Sequence, residues 1–195
     1  MLLKIFKSIK KGILNLIERL RTQGLRTTLI WAYARGLPAI TGIPIIKYSR
    51  ITADIYVGPQ FRVAGRRRLE SIGIVGSINL RDEYDDRAHE LDLKEHCYLP
   101  TFDDHAPTIA QLEQGILFIQ HVIEGGGKVY IHCRGGIGRA PTMATAYLLY
   151  KGFELEDALN FIRESRPFIK IMPAQMQRLK ELQATIRDKK TIEPS

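Results

Sequence analysis

The stretch Val129-Tyr130-Ile131-His132-Cys133-Arg134-Gly135-Gly136-Ile137-Gly138-Arg139-Ala140-Pro141 reads as an apolar strand ending at a cysteine, a glycine-rich loop, and the start of a helix. Pro141 suits a first helical turn, where its missing N–H costs nothing. In such a strand–loop–helix unit the loop amides converge into an anion-binding nest at the positive end of the helix. Glycines at 135, 136 and 138 admit backbone conformations that strain other residues. Arg139 closes the loop and can grip a tetrahedral phosphate through two parallel hydrogen bonds. The expected phosphate-binding set is therefore Arg134, Gly135, Gly136, Ile137, Gly138 and Arg139. The same positive field favours the thiolate of Cys133, which is the nucleophilic form of a cysteine.

Two other readings compete. A buried cysteine in an ordinary strand-to-helix turn explains neither the arginine nor the density of glycine. Metal binding by His96-Cys97 and His132-Cys133 fails on geometry, because neighbours on a strand face opposite ways and each pair offers one ligand, short of the three or four that zinc takes. Nor does Gly-Lys-Ser/Thr follow the loop, as a nucleotide-binding loop requires. The reading calls for no cofactor and no metal.

Outward from the loop, strand and helix patterns alternate. Strands are expected at 54–57, 74–80, 96–99 and 128–132, and helices at 66–72, 108–124, 141–150, 155–163 and 173–187, with Thr108 as a helix cap. The alternation predicts an α/β fold: a central, mostly parallel sheet of about four or five strands flanked by helices. In open sheets of this kind ligands bind beyond the carboxyl ends of strands. The segment Leu99-Pro100-Thr101-Phe102-Asp103-Asp104-His105-Ala106-Pro107 occupies such a position, so it is where a proton donor belongs. Asp103 is the first candidate for general acid, Asp104 the second and His105 the third. A turn or cap role competes for both aspartates, and more strongly for Asp104.

The chain has 195 residues, 45% hydrophobic and 26% charged, which excludes disorder and fibrous architectures. Its net charge of +8 is not spread over the molecule, because residues 1–50 hold ten Lys/Arg against a single acid, Glu18. That concentration points to a local anionic surface and away from nucleic acid. Apolar residues at Leu2, Ile5, Phe6, Ile9, Ile13, Leu16, Ile17 and Leu20 mark one face of a helix, with Lys4, Lys7, Lys10, Lys11 and Arg19 largely opposite. Such a helix either packs on the core or lies on anionic lipid, the partner expected for residues 1–35. Turns are expected at Gly36-Leu37-Pro38 and Gly42-Ile43-Pro44, dividing a basic helical segment, 1–45, from a catalytic domain, 46–190. Lysines interrupt any signal sequence, and no run is long and apolar enough to span a bilayer. The expected location is cytoplasmic, peripheral on the inner face of a membrane, with Cys97 and Cys133 reduced. A reversible Cys97–Cys133 disulfide guarding the nucleophile is the alternative for Cys97, otherwise a strand residue.

The segment His132–Arg139 resembles the signature of the protein tyrosine phosphatase superfamily, dual-specificity branch. Within it the chain looks most similar to mitochondrial-type phosphatidylglycerophosphate phosphatases. The likeness lies in Tyr48-Ser49-Arg50-Ile51, Ile55-Tyr56-Val57-Gly58, Asn79-Leu80-Arg81-Asp82-Glu83-Tyr84, Leu99-Pro100-Thr101-Phe102-Asp103, and Ile169-Lys170-Ile171-Met172-Pro173-Ala174-Gln175. The resemblance implies a phosphocysteine intermediate on Cys133, with Asp103 first protonating the leaving oxygen and then activating water. It also implies that Glu83 and Tyr84 line the pocket. One departure stands out: Ala140 follows the loop arginine where most members carry Ser or Thr, so breakdown of the intermediate is expected to be slow. Gly-Arg-Ala-Pro is also reminiscent of plant glucan phosphatases. The first expectation is a phosphomonoesterase acting on a phospholipid head group such as phosphatidylglycerophosphate. The alternatives are a dual-specificity protein phosphatase for phosphotyrosine and phosphoserine/threonine, and a catalytically weak phosphate-binding module.

Overall fold

A computed structural model describes residues 2–192, with side chains at 14 and 16–189. Four strands, β1 (Ile55–Pro59), β2 (Ile74–Arg81), β3 (Glu95–Thr101) and β4 (Lys128–Cys133), form one sheet in the order β1-β4-β2-β3. All the pairings are parallel, with Pro59 opposite Cys133 and Asn79 opposite His132. Parallel strands need crossovers, and α2 (Val63–Glu70), α3 (Ile109–Glu124) and α4 (Arg139–Tyr150) follow β1, β3 and β4; α5 (Leu155–Ser165) and α6 (Pro173–Ile192) complete the domain. Every expected strand and helix of residues 54–187 is present.

The period of two along β4 decides which residue faces what. Val129, Ile131 and Cys133 join the larger core with α3, α4, α5 and α6. Tyr130 joins the smaller core with Phe61, Leu69, Leu91 and Leu93 on the other face. α4 is buried from Arg139 to Leu149, consistent with its apolar, small-residue sequence. α3 begins with a capping box, in which the Thr108 hydroxyl accepts from Gln111 N–H and the Gln111 side chain accepts from Thr108 N–H.

The N-terminal segment departs from expectation. α1 runs over Leu2–Thr41 with one non-helical residue, Gly24 (φ 76°, ψ 168°), and continues through Gly36-Leu37-Pro38, where a turn was expected. Tertiary contacts outweigh the local proline signal. Arg62 donates to the carbonyls of Ala39 and Ile40, which helical hydrogen bonds leave open at the end of the helix. The chain then leaves α1 at Gly42, in the left-handed region at φ +72°. The apolar stripe expected over Leu2, Ile5, Phe6, Ile9 and Ile13 falls on side chains outside the described residues.

Helices α3 and α4 approach closely at Gly115, where an added Cβ would lie 2.4 Å from Met143 Sδ and 2.9 Å from Met143 Cε. Gly115→Ala gains about 1 kcal/mol in helix propensity but overpacks the core at a cost of about 1–3 kcal/mol. We expect net destabilisation in urea unfolding. Combined with Met143→Ala, the loss is smaller than the sum of the two single losses; strict additivity is the contrary result.

Candidate active site

Cys133 ends β4, and the loop that follows turns its carbonyls outward. Arg134 O accepts from Gln60 N–H at 3.4 Å, Ile137 O from Lys170 N–H at 2.9 Å, and Gly138 O from Thr142 N–H at 3.0 Å. Arg166 takes the other two: its Nε donates to Gly136 O at 2.6 Å and its Nη2 to Gly135 O at 3.3 Å. With the carbonyls bound outside, the Gly136 N–H points inward and lies 3.3 Å from Cys133 Sγ. Arg166 is fully buried and also donates to Tyr48 O at 2.5 Å. Burial pushes its guanidinium down to about 10, so it remains charged at neutral pH.

Of the three loop glycines, Gly136 is the one that only glycine can fill. Its φ is +62°, and a Cβ there would lie 2.4 Å from the carbonyl carbon and oxygen of Gly58. Gly135 and Gly138 have no positive φ, so the expected strain relief is confined to residue 136.

Arg139 lies buried beneath the loop, and its fork is held from several sides. Nη1 donates to Thr101 O at 2.7 Å, Leu80 O at 3.1 Å and Glu83 Oε2 at 3.0 Å. Nη2 reaches Glu83 Oε1 at 3.2 Å and Asp103 Oδ1 at 2.9 Å. Its Nε is buried and has no hydrogen-bond partner among the described residues. An arginine held so firmly, with one N–H unspent, is a donor prepared for an incoming oxyanion. Burial alone would lower the arginine's hold on its proton, but Glu83, Cys133 and Asp103 raise it. Burial likewise opposes ionisation of Glu83, yet the Arg139 hydrogen bond holds its carboxyl well below the usual carboxylate range.

The residues 55–185 match the family model "Dual specificity phosphatase, catalytic domain". A rat protein described as phosphatidylglycerophosphatase and protein-tyrosine phosphatase 1 is 32% identical over 149 residues, covering 71% of this chain and 77% of the relative. Human dual specificity protein phosphatase 5 is 30% identical over 149 residues, 69% of this chain but 38% of the relative, so this chain spans little more than a third of that protein. Among solved structures, PTPMT1 superposes with a TM-score of 0.67 at 29% identity over 74% of this chain and 99% of that one. PTPMT1 in complex with PI(5)P gives 0.66 at 28% identity, over 72% and 96%. The chain belongs to the dual-specificity phosphatase family.

The remaining site residues of this dual-specificity phosphatase fold sort clearly. Of the acid candidates, Asp103 reaches Arg139, whereas Asp104 adopts φ +62° and shapes the turn while lining the same cavity. The His105 ring bonds Asp103 O at 2.9 Å, and the buried Gln175 donates to His105 O at 2.9 Å, tying this loop to the first turn of α6. Ala140 is fully buried and brings no hydroxyl to the loop; the nearby Thr142 hydroxyl is bonded to Gly138 O at 2.9 Å. Glu83 is at the site, while Tyr84 stacks on His89 with ring centroids 3.9 Å apart.

The disulfide alternative is closed by the strand order. Cys97 pairs with Ile78, which pairs with Ile131, so β2 separates it from β4, and Cys133 lies two residues further on. Two strand spacings of about 4.8 Å exceed the Cα separation a disulfide tolerates, about 4.4–6.8 Å. Both thiols are free, and burial pushes Cys97 up to about 11.

Three contributors had no sequence signal strong enough to assign them. Arg166 acts from thirty residues beyond Gly136. Arg35, on α1, borders the cavity. The third is Asp86, fully buried, whose Oδ2 lies 2.7 Å from His132 Nε2 and whose Oδ1 accepts from Gln60 Nε2 at 2.8 Å. Burial opposes ionisation of Asp86, but His132 and Gln60 outweigh it and hold the carboxyl below its ordinary value. A carboxyl depressed in the folded state stabilises the fold above its unfolded value of about 3.9, and the contribution fades as pH falls through the lowered folded value. Asp86→Asn should therefore cost about 2 kcal/mol at pH 7, with the gap to wild type narrowing below about pH 4. Urea midpoints at several pH values measure this; a pH-independent gap contradicts it.

Proposed function

We propose that the chain is a phosphomonoesterase that works through Cys133 on a phosphorylated head group at a membrane surface. The observation that carries the chemistry is the unspent Arg139 Nε in a site where the Gly136 N–H already points at the Cys133 sulfur. A phosphate dianion entering the loop engages Nε and Nη2 of Arg139 together, the bidentate arrangement a guanidinium favours. It thereby competes with Asp103 for Nη2 and releases that carboxyl toward the ester oxygen.

The Cys133 thiolate attacks phosphorus, the S–P bond forms, and the P–O ester bond breaks as Asp103 delivers its proton to the leaving alkoxide. Water then attacks the phosphocysteine, Asp103 takes a proton from it, and the S–P bond breaks to return inorganic phosphate and the thiolate. Ala140 provides no hydroxyl to assist the departing sulfur, which makes this second step the slower one.

The membrane half of the reading rests on α1. Most of the exposed large apolar side chains among the described residues lie on it, and Leu25 (66% exposed), Leu29 (61%), Tyr33, Leu37 and Ile40 (78%) recur at three- and four-residue spacing. Thr28, Ala34 and Pro38 occupy the opposite, buried face. Arg21, Arg26, Lys47 and Arg50 are exposed nearby, so an apolar stripe and cations combine as an interfacial helix requires. No helix among the described residues is long and apolar enough to cross a membrane. The PTPMT1 complex with PI(5)P supports a phospholipid head group, while the rat relative's name carries both a phosphatidylglycerophosphatase and a protein-tyrosine phosphatase activity.

Rapid-quench kinetics with p-nitrophenyl phosphate should show a phenolate burst followed by slower turnover. Cys133→Ser abolishes both phases. Asp103→Asn lowers kcat by about 10²–10⁴-fold on alkyl phosphates, and by less on the nitrophenyl ester, whose leaving group needs little protonation. Turnover that survives Cys133→Ser rules out the mechanism.

Leu25→Gln/Leu29→Gln should reduce sedimentation with vesicles containing phosphatidylglycerol several-fold at unchanged thermal midpoint. Equal sedimentation of variant and wild type removes the membrane assignment.

A further inference from the structure

The catalytic cavity, about 790 Å³, is walled on one side by the loop and on the other by α1, which contributes Arg19, Trp31 and Arg35. Arg35 stands directly over the loop: an added Cβ on Gly135 would lie 3.8 Å from Arg35 Nε. Its guanidinium also sits 5.8 Å from the centre of the Trp31 ring, whose other cation, Arg19, is at 4.8 Å. Arg19 is held in place by Gln23 Oε1 at 2.7 Å and Phe168 O at 3.2 Å.

The charges around Arg35 are unbalanced. Among the described residues neither Arg35 nor Arg134 has an ion pair, although both border the cavity, whereas Lys170 is paired with Glu18 at 2.7 Å and Arg139 with Glu83 and Asp103. Arg35 remains exposed, yet partial desolvation beside the cavity, and then the Arg134 charge, push its guanidinium below its ordinary value, while Asp103 and Cys133 pull it back. Two guanidiniums that repel each other at the lip of an anion-binding loop are stabilised by an anion that both can reach. The anion held in the loop itself is already served by the loop amides and Arg139, so the second pair of cations is redundant for a substrate with one phosphate.

We infer that Arg35 and Arg134 form an accessory anion subsite, selecting substrates that carry a second phosphate group close to the phosphomonoester being cleaved. The inference rests on the phosphomonoesterase reading and adds the substrate's second charge to it. The phosphodiester of a phospholipid head group and a second monoester on a polyol both supply that chemistry. Trp31 acts as a spacer that keeps Arg35 over the loop, and Arg35 is a specificity residue with no part in bond breaking.

The test is ligand binding by calorimetry, on the full chain carrying Cys133→Ser so that ligands are not turned over. The probes are inorganic phosphate, fructose 1,6-bisphosphate and dihexanoyl phosphatidylglycerophosphate. The two-phosphate ligands should bind at least tenfold more tightly than inorganic phosphate, and adding Arg35→Ala should shrink that preference about tenfold. Arg35→Lys keeps the charge but loses the fork, and should retain an intermediate preference. A fall with the lipid analogue alone assigns the subsite to a phosphodiester; a fall with both assigns it to a second phosphate of either kind. The inference is overturned if the preference survives Arg35→Ala, or if the substitution weakens all three ligands by one common factor. Should the Cys133→Ser chain bind none of them, the phosphatase reading falls and the subsite with it. Binding of all three with equal affinity removes the subsite alone.

Discussion

Arg166 is a fully buried cation whose donors go to backbone carbonyls, and the catalytic loop depends on it. Taking a guanidinium out of water costs several kcal/mol, offset here by bonds to Gly135 O, Gly136 O and Tyr48 O. Those bonds draw loop carbonyls away from the pocket, and their partner amides are thereby presented to it. The charge does a second service, since Arg166 and Cys133 attract each other when the sulfur is ionised. A neutral residue could fill the volume, but it could not hold the three carbonyls.

The segment after Arg166 carries this arrangement outward. Lys170 N–H binds Ile137 O from beneath the loop. In the same segment Phe168 O and Ile169 O accept from Arg19 and Gln23 of α1, and Lys170 Nζ pairs with Glu18. One short stretch of chain therefore fixes the floor of the pocket and one of its walls together. On the far side, Arg139 is aligned by carbonyls at the carboxyl ends of β2 and β3, Leu80 O and Thr101 O. The position of the guanidinium is thus set by the sheet itself, at the place where parallel sheets put their chemistry.

What could be read from the sequence follows the range of the interactions involved. The strands and helices of the domain announce themselves through periodicity, and the loop through adjacent residues, so Cys133, Gly136 and Arg139 were legible. Asp103 was legible only as the first of three neighbours; its ion pair with Arg139 and the left-handed turn at Asp104 separate them. Arg166 and Asp86 were not legible, because a buried arginine and an exposed one have the same letter and their partners lie far along the chain. The helix through Pro38 ran against local rules. Proline removes a donor and the residue before it disfavours the helix, yet Arg62 closes the open carbonyls at 39 and 40 from another element.

The N-terminal charge takes its meaning from α1 having two working faces. Past Gly24, residues 28, 31, 35 and 38 turn toward the domain and its cavity, and 25, 29, 33, 37 and 40 turn outward as an apolar stripe. A helix used only as a lipid anchor needs no arginine over the catalytic loop, and a helix used only as a pocket wall has no reason to expose Leu25, Leu29 and Ile40. Both faces on one helix mean that the exposed apolar stripe and one wall of the cavity belong to a single element. Within the cavity Arg35 is exposed and Cys133 buried, so under the proposed function a lipid head group would meet Arg35 first. The proposed membrane approach and the proposed recognition of a second charge thus depend on the same element, which residues 168–170 hold to the loop.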